Sequence, residues 1–331
     1  MREPRTWREL LRSVIKDPQE KQRIADELNI NPITLMRWVN GSSKPRVHYL
    51  QQLLYVLPQH RQQLIASFAE EFDDTFDISE RQVDEELQEI PSKFYAQVLT
   101  AHTMTPHPLR SSLIYTLILQ QALRHLDPYE LGMSITVVKC MPPAPGHRVQ
   151  SLREDLGRGT LPWKSHLDDQ PLLLGAESLA GYAVSSFRFV TNQYISMGPT
   201  FFPVRRTQWE ESAAACPLLQ GNRVAGCLLV ASHQPNYFST SRLEIIQNYA
   251  GLLVLACEPE EFYDSSSIQL AMMPPPEIQR VLFAHFQQRV TNKMIQSMRS
   301  NRQLTRPEAE REVWHELEEE LIQESLRLQP D

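Results

Sequence analysis

Short apolar-periodic runs with clear punctuation open the chain. Helical patterns cover residues 7–15, 18–28, 32–40 and 47–56, each roughly two or three turns long. Helices this short are marginal alone and must bury apolar faces against one another, which predicts a compact all-α domain over residues 1–68. From Pro91 the pattern changes to a helix around Phe94, Val98 and Leu99, then a longer one over 108–126 that stops before Asp127-Pro128. Strand-like runs follow: 134–141 is rich in β-branched residues, and 187–190 and 213–219 resemble it more weakly. Gly221-Asn222 separates the last of these from 224–231 and predicts a hairpin. A helix over 239–257, with Ser239 as its N-cap, closes an α+β sandwich over 91–260.

The breaker Pro274-Pro275-Pro276 introduces two amphipathic helices, 277–301 and 307–328, within a C-terminal segment 261–331. Phe283, Phe286, Val290, Met294 and Met298 recur at threes and fours, so this helix has a face that needs a partner, and a second copy of the chain is one candidate. No internal repeat is present. The fold class expected is therefore multi-domain: an all-α domain, an acidic linker over 69–90, an α+β domain, and C-terminal helices.

Composition narrows the function classes. The hydrophobic fraction is 41% and the charged fraction 22%, values typical of a folding globular chain. No apolar run approaches bilayer length, and the opening MREPRTWREL lacks the apolar core of a secretory signal, so no membrane partner and a cytoplasmic location are expected. Cys140, Cys216, Cys227 and Cys257 form no C-x-x-C pair, which argues against a zinc ribbon or a disulfide scaffold and implies reduced thiols. The net charge is −7, but it is unevenly spread. Residues 1–50 hold ten basic residues against six acids, whereas 70–89 hold ten acids against Arg81 alone. A local cationic surplus suits phosphates.

The stretch KQRIADELNINPITLMRWVNGSSKP, residues 21–45, resembles the helix-turn-helix of Cro-like (XRE-type) repressors. Ala25 stands where two helices cross closely, and Ile24, Leu28, Leu35 and Trp38 are spaced to fill the core. The family's turn glycine is replaced by Asn29, one of the few residues that visit positive φ at low cost. Asn31 stands at the N-cap and Pro32 at the first helical position. The resemblance implies a recognition helix whose Pro32, Ile33, Thr34 and Arg37 reach base edges, with Lys21, Asn31, Asn40, Lys44 and Arg46 on phosphates. Arg37 suits a bidentate contact to guanine, and Ile33 a thymine methyl. The partner implied is a double-stranded DNA operator.

The run 212–256 resembles the end of a GAF domain, PAS-related in layout, through Pro217-Leu218, Gly221-Asn222, Gly226 within its strand, and Phe238 before the last helix. This resemblance implies a small-molecule pocket lined by residues between Leu152 and Pro203. His166, Arg188, Tyr194 and Arg205 are the candidate ligand contacts, and no cofactor is identified. If the hairpin turns on Gly221-Asn222 without a bulge, Cys216 and Cys227 fall opposite each other, a possible redox pair. Buried small hydrophobes are the competing reading of both.

Enzyme motifs fail. Leu156-Gly157-Arg158-Gly159 is a fragment of a nucleotide loop and reads as a turn; His315-Glu316 lacks a second histidine because position 319 is Glu319. No G-x-S-x-G elbow occurs. The expected function is a non-enzymatic, sequence-specific transcription regulator acting as a homodimer, with a GAF-like domain that binds a small-molecule or redox signal or dimerises. The alternatives are a ligand-free docking scaffold and a thiol enzyme similar to methionine sulfoxide reductases of the GAF type.

Overall fold

A computed structural model describes residues 6–28, 30–57, 60, 63–64, 67–68, 71, 89–128, 130–167, 171–195, 209–299 and 304–328. Two compact units divide the chain, Met1–Leu87 and Gln88–Asp331. Asn29, and the acidic stretch 69–90 apart from Glu71, Glu89 and Ile90, lie outside the described residues.

The first unit contains α1 (Trp7–Val14), α2 (Pro18–Glu27), α3 (Pro32–Val39) and α4 (Val47–Val56). Each of the first three starts on a side-chain cap: Thr6, Asp17 and Asn31 accept from the backbone N–H of Glu9, Gln19 and Ile33. Pro18 and Pro32 occupy the first helical positions, where a missing N–H costs nothing. The helices close over Trp7, Leu10, Leu11, Ile24, Ala25, Leu28, Leu35, Trp38, Leu50 and Leu53, all buried. α3 ends in a Schellman turn: Gly41 adopts φ +72, its N–H reaches the Trp38 carbonyl, and the Ser42 N–H reaches that of Arg37.

The second unit begins with α5 (Ser92–Met104) and α6 (His107–Leu126). A seven-stranded sheet follows, built from β1 (Met133–Cys140), β2 (Leu152–Gly159), β3 (Leu173–Leu174), β4 (Val190–Asn192), β5 (Ser212–Gln220), β6 (Arg223–Ser232) and β7 (Tyr263–Asp264). Its order is β3-β2-β1-β6-β5-β4, antiparallel throughout, with β7 added beside β6. α7 (Leu179–Ser186) covers one face, where Ala180, Ala183 and Val184 meet Val138, Cys140, Ala215, Cys227 and Leu229. Side chains alternate along a strand, so the intervening residues face the other way, toward α6 and α8 (Thr240–Leu253).

Three expectations need correction. Residues 156–159 are not a turn but the end of β2. The glycines there answer to crowding: a Cβ on Gly157 would lie 2.9 Å from that of Leu167, and one on Gly159 would lie 2.7 Å from that of Trp163. Residues 187–190 are not a strand, because Phe187 closes α7 in the left-handed region at φ 57 and pairing starts only at Val190. The segment 277–301 is not one helix but two, α9 (Pro276–Phe283) and α10 (Phe286–Arg299). The break at residues 284–285 lets Phe283 and Phe286 both pack on Trp314, at 5.4 and 4.7 Å between ring centroids.

α11 (Arg306–Leu328) supplies the partner that the apolar face of α10 requires, within the same chain. Phe286, Val290 and Met294 pack on Ala309, Val313 and Leu317, while Met298 remains 71% exposed. Both helices belong to the same compact unit as the sheet. Residues 267–271 run beside 149–150, and the Gln279 side chain bonds both the N–H and the carbonyl of edge residue Leu173. Among the described residues, no helix is long and apolar enough to cross a membrane.

Gly226 has φ +152, and a Cβ there would sit 2.0 Å from the Val138 carbonyl oxygen. Substitution Gly226→Ala is therefore expected to cost on the order of 1–3 kcal/mol, the usual scale of backbone strain. Urea unfolding checks this, and a loss within about 0.5 kcal/mol, the level of an ordinary surface change, would contradict the tight approach.

Candidate nucleic-acid interface and candidate ligand site

The interior of the first unit determines what α3 presents. Leu35, Trp38 and Val39 are buried, which leaves Ile33, Met36, Arg37 and Asn40 exposed on the opposite face, with Ile33 60% exposed. Asn31 is exposed at the start of this face, and Pro32 and Thr34 are half-buried beside it. Lys44 and Arg46 are exposed just beyond the Schellman turn, and Lys21 is half-buried on α2.

Some of the cations are engaged within the unit. Arg8 donates to the Trp38 carbonyl at 3.2 Å and Arg12 to that of Val39 at 3.0 Å, placing positive charge on the negative end of α3. Arg23 is tied to Glu20 and Glu27 at 2.7 and 2.9 Å. Arg37, Lys44 and Arg46 form no ion pair among the described residues.

In the sheet, the cysteine register departs from the bulge-free hairpin. Gln220 faces Arg223 and Leu219 faces Val224, but Leu218 then faces Gly226, so Ala225 is one residue extra. Cys216 consequently faces Leu228, and Cys227 faces Pro217. Adjacent positions point to opposite faces, so the two thiols lie on opposite sides of the sheet. Both are buried, and burial pushes the Cys216 thiol up to about 12.

The other ligand candidates are scattered. His166 is exposed and forms an isolated bridge to Arg158; Arg188 is exposed after α7; Tyr194 is 48% exposed beyond β4. Arg205 lies outside the described residues. The neighbours Leu167 and Ile195 meet Trp163, Ala213 and Ala231 in a small apolar cluster. This part of the sheet face, with the α7 layer, is filled by apolar side chains.

Several buried polar groups have no counterpart in the motif reading. Lys139, the one charged residue of β1, bonds Glu261 at 3.0 Å and Asp155 at 3.3 Å, and its ammonium lies 4.8 Å from the Tyr115 ring centre. Burial opposes its charge, yet the two carboxylates outweigh that and raise its pKa. The Tyr115 hydroxyl contacts Cys257 Sγ at 3.3 Å. Asp127 accepts from the N–H groups of Leu131 and Gly132 and from the Thr160 hydroxyl. Glu177 accepts from the N–H groups of Gly175 and Met273, and Glu318 from the Ser151 hydroxyl. Among the described residues, no group of three or more His, Cys, Asp or Glu is placed to hold a metal ion.

No family model matches the chain, and no curated protein matches it. Among solved structures, it is similar to the GAF domain from Acinetobacter phosphoenolpyruvate-protein phosphotransferase, at 14% identity over 53% of this chain and 93% of that one, with a TM-score of 0.36. It is also similar to the type II free methionine-R-sulfoxide reductase from Thermoplasma acidophilum, at 14% identity over 44% of this chain and 94% of that one, TM-score 0.33. The GAF-B domain of DevS from Mycobacterium smegmatis aligns at 19% identity over 44% of this chain and 91% of its own, TM-score 0.31. Likenesses at these values carry no argument about activity or ligand.

Two outcomes follow from this geometry. A mild oxidant should form no Cys216–Cys227 disulfide in the folded protein; a bridged peptide in a non-reducing digest would overturn the bulged register. The second concerns Glu318, whose pKa burial raises above 4.5 even though Ser151 and His315 oppose the shift. A raised folded value means that acid favours the folded state: the contribution is full below about 4.5 and is lost as pH rises through the folded value. Urea unfolding of wild type and Glu318→Gln at neutral and at mildly acidic pH should show wild type gaining relative to the variant on acidification. A relative loss would reverse the assignment.

Proposed function

We propose that the chain is a cytoplasmic, sequence-specific DNA-binding regulator whose first unit reads an operator and whose second unit, GAF-like in character, receives a signal and pairs two copies. The exposed face of α3 is the observation that carries this reading. Ile33, Met36, Arg37 and Asn40 project from a helix whose other side is locked into the core. A helix that enters the major groove needs this division, with base-reading groups near its first turns and phosphate-binding cations around it. Arg37 supplies the bidentate donor for guanine and Ile33 the apolar contact for a thymine methyl. Lys21, Asn31, Asn40, Lys44 and Arg46 serve the phosphates, which position the helix without specifying sequence.

In a homodimer the two recognition helices would meet two-fold-related half-sites. A signal acts through its differential affinity for two arrangements of that dimer, so repression and activation are both compatible with it. A second reading, a ligand-free scaffold for dimerisation or docking, is favoured by the apolar filling of the α7 face. A retained chromophore or nucleotide in the absorbance of purified protein would oppose it. The thiol-enzyme reading loses its proposed pair, since Cys216 and Cys227 lie on opposite faces with Cys216 held protonated by burial.

Binding to DNA from the protein's own upstream region, across a salt series, tests the leading reading. Arg37→Ala is expected to lose about 1–3 kcal/mol at the specific site and little on random DNA. Lys44→Ala should weaken both alike and flatten the log–log salt dependence by about one unit. Equal loss on specific and random DNA for Arg37→Ala would remove base reading by this residue.

A further inference from the structure

The C-terminal helices enclose a groove that the proposed function does not use. α9 and the second half of α11 wall it and the loop after β1 closes one end, leaving about 1050 Å³. Ile278, Val281 and Ile322 line it, and Val281 is 68% exposed although its neighbour Leu282 packs inward. An aliphatic side chain left in water within a concavity is an unpartnered contact.

The rim is acidic. Six glutamates line the groove, against one arginine and two histidines. Glu320 and Glu316 are tied to Arg289 and Lys293, and Glu324 to Arg327. Glu277 and Glu319 are exposed and form no ion pair among the described residues. We propose that this groove docks a cationic amphipathic helix of a partner protein. The lining residues of α11 run from His315 to Arg327, a length of about 18 Å at helical rise, which matches three turns of a docked helix. The docked helix lays an apolar stripe on Ile278, Val281 and Ile322 and sets lysines or arginines against Glu277 and Glu319. This is the helix-in-groove mode of recognition. An acidic helix meets like charge along the rim, and an extended strand finds no free sheet edge between two helices.

The test uses the full chain and a fluorescein-labelled peptide, LKKLLKLLKKLLKL, read by anisotropy at near-physiological salt. The matched peptide LEELLELLEELLEL is the control for charge. Val281→Asp removes the apolar contact, and the double variant Glu277→Lys with Glu319→Lys reverses the rim; all three positions lie on exposed surface, and far-UV circular dichroism checks the fold. The expected result is binding of the lysine peptide that each variant weakens by about tenfold or more, with no binding of the glutamate peptide. Affinities of both variants within about twofold of wild type, or equal binding of the two peptides, would overturn the proposal. So would sedimentation showing a wild-type dimer that Val281→Asp dissociates, because the occupant would then be a second copy.

Discussion

The second unit depends on one extra residue in one strand. Ala225 bulges out of the β5–β6 ladder, and Gly226 beside it brings the main chain so close to Val138 that a Cβ would stand 2.0 Å from its carbonyl oxygen. The bulge shifts every pair beyond it by one, and a shift of one exchanges the two faces of a strand. It sends Cys227, Leu229 and Ala215 to the α7 side, and Cys216 and Leu228 to the side of α6 and α8. Without it, Cys216 and Cys227 would share a face, and a thiol pair would be a reasonable site.

A different economy of charge governs the first unit. Three of its arginines are consumed internally, Arg8 and Arg12 on the last carbonyls of α3 and Arg23 on two glutamates. The contacts of Arg8 and Arg12 hold the C-terminal end of α3 where the helix dipole is negative, so the helix is fixed at the end away from Asn31 and Ile33. Arg37, Lys44 and Arg46, exposed and without ion pairs among the described residues, lie at and after α3. A basic surplus read from composition alone does not make this distinction.

Local chemistry was legible in the sequence where it alone decides the outcome. Asn31-Pro32 starts a helix, because a cap and a fixed φ are properties of one or two residues. The face division of α3 was legible for the same reason, since helical spacing separates Leu35 and Trp38 from Ile33 and Arg37. Contacts between distant segments were not. Gly157 and Gly159 look like turn residues, and only the approach of Leu167 and Trp163 explains them inside a strand. The bulge at Ala225 left no signal beyond Gly226 itself. A trace of the buried cluster was visible in Lys139, a lone charge in a β-branched run, but Tyr115, Asp155, and Cys257 with Glu261 come from three other segments.

The joint between the sheet and the C-terminal helices shows what such buried polar groups contribute. Gln279 bonds both main-chain groups of Leu173, Glu177 accepts from Gly175 and Met273, and Glu318 accepts from Ser151. Desolvation raises the pKa of both glutamates, so each costs free energy at neutral pH that an apolar pair would not. Their effect is on placement. If α11 slid by one turn, Glu318 would lose Ser151 while still buried and keep only His315 of its own helix, and a buried carboxyl group short of hydrogen bonds is costly. The apolar contacts of Phe286, Val290 and Leu317 are non-directional, whereas the hydrogen bonds require one geometry. They fix α9 and α11 to the sheet edge in one register, and that register determines the shape of the groove between them.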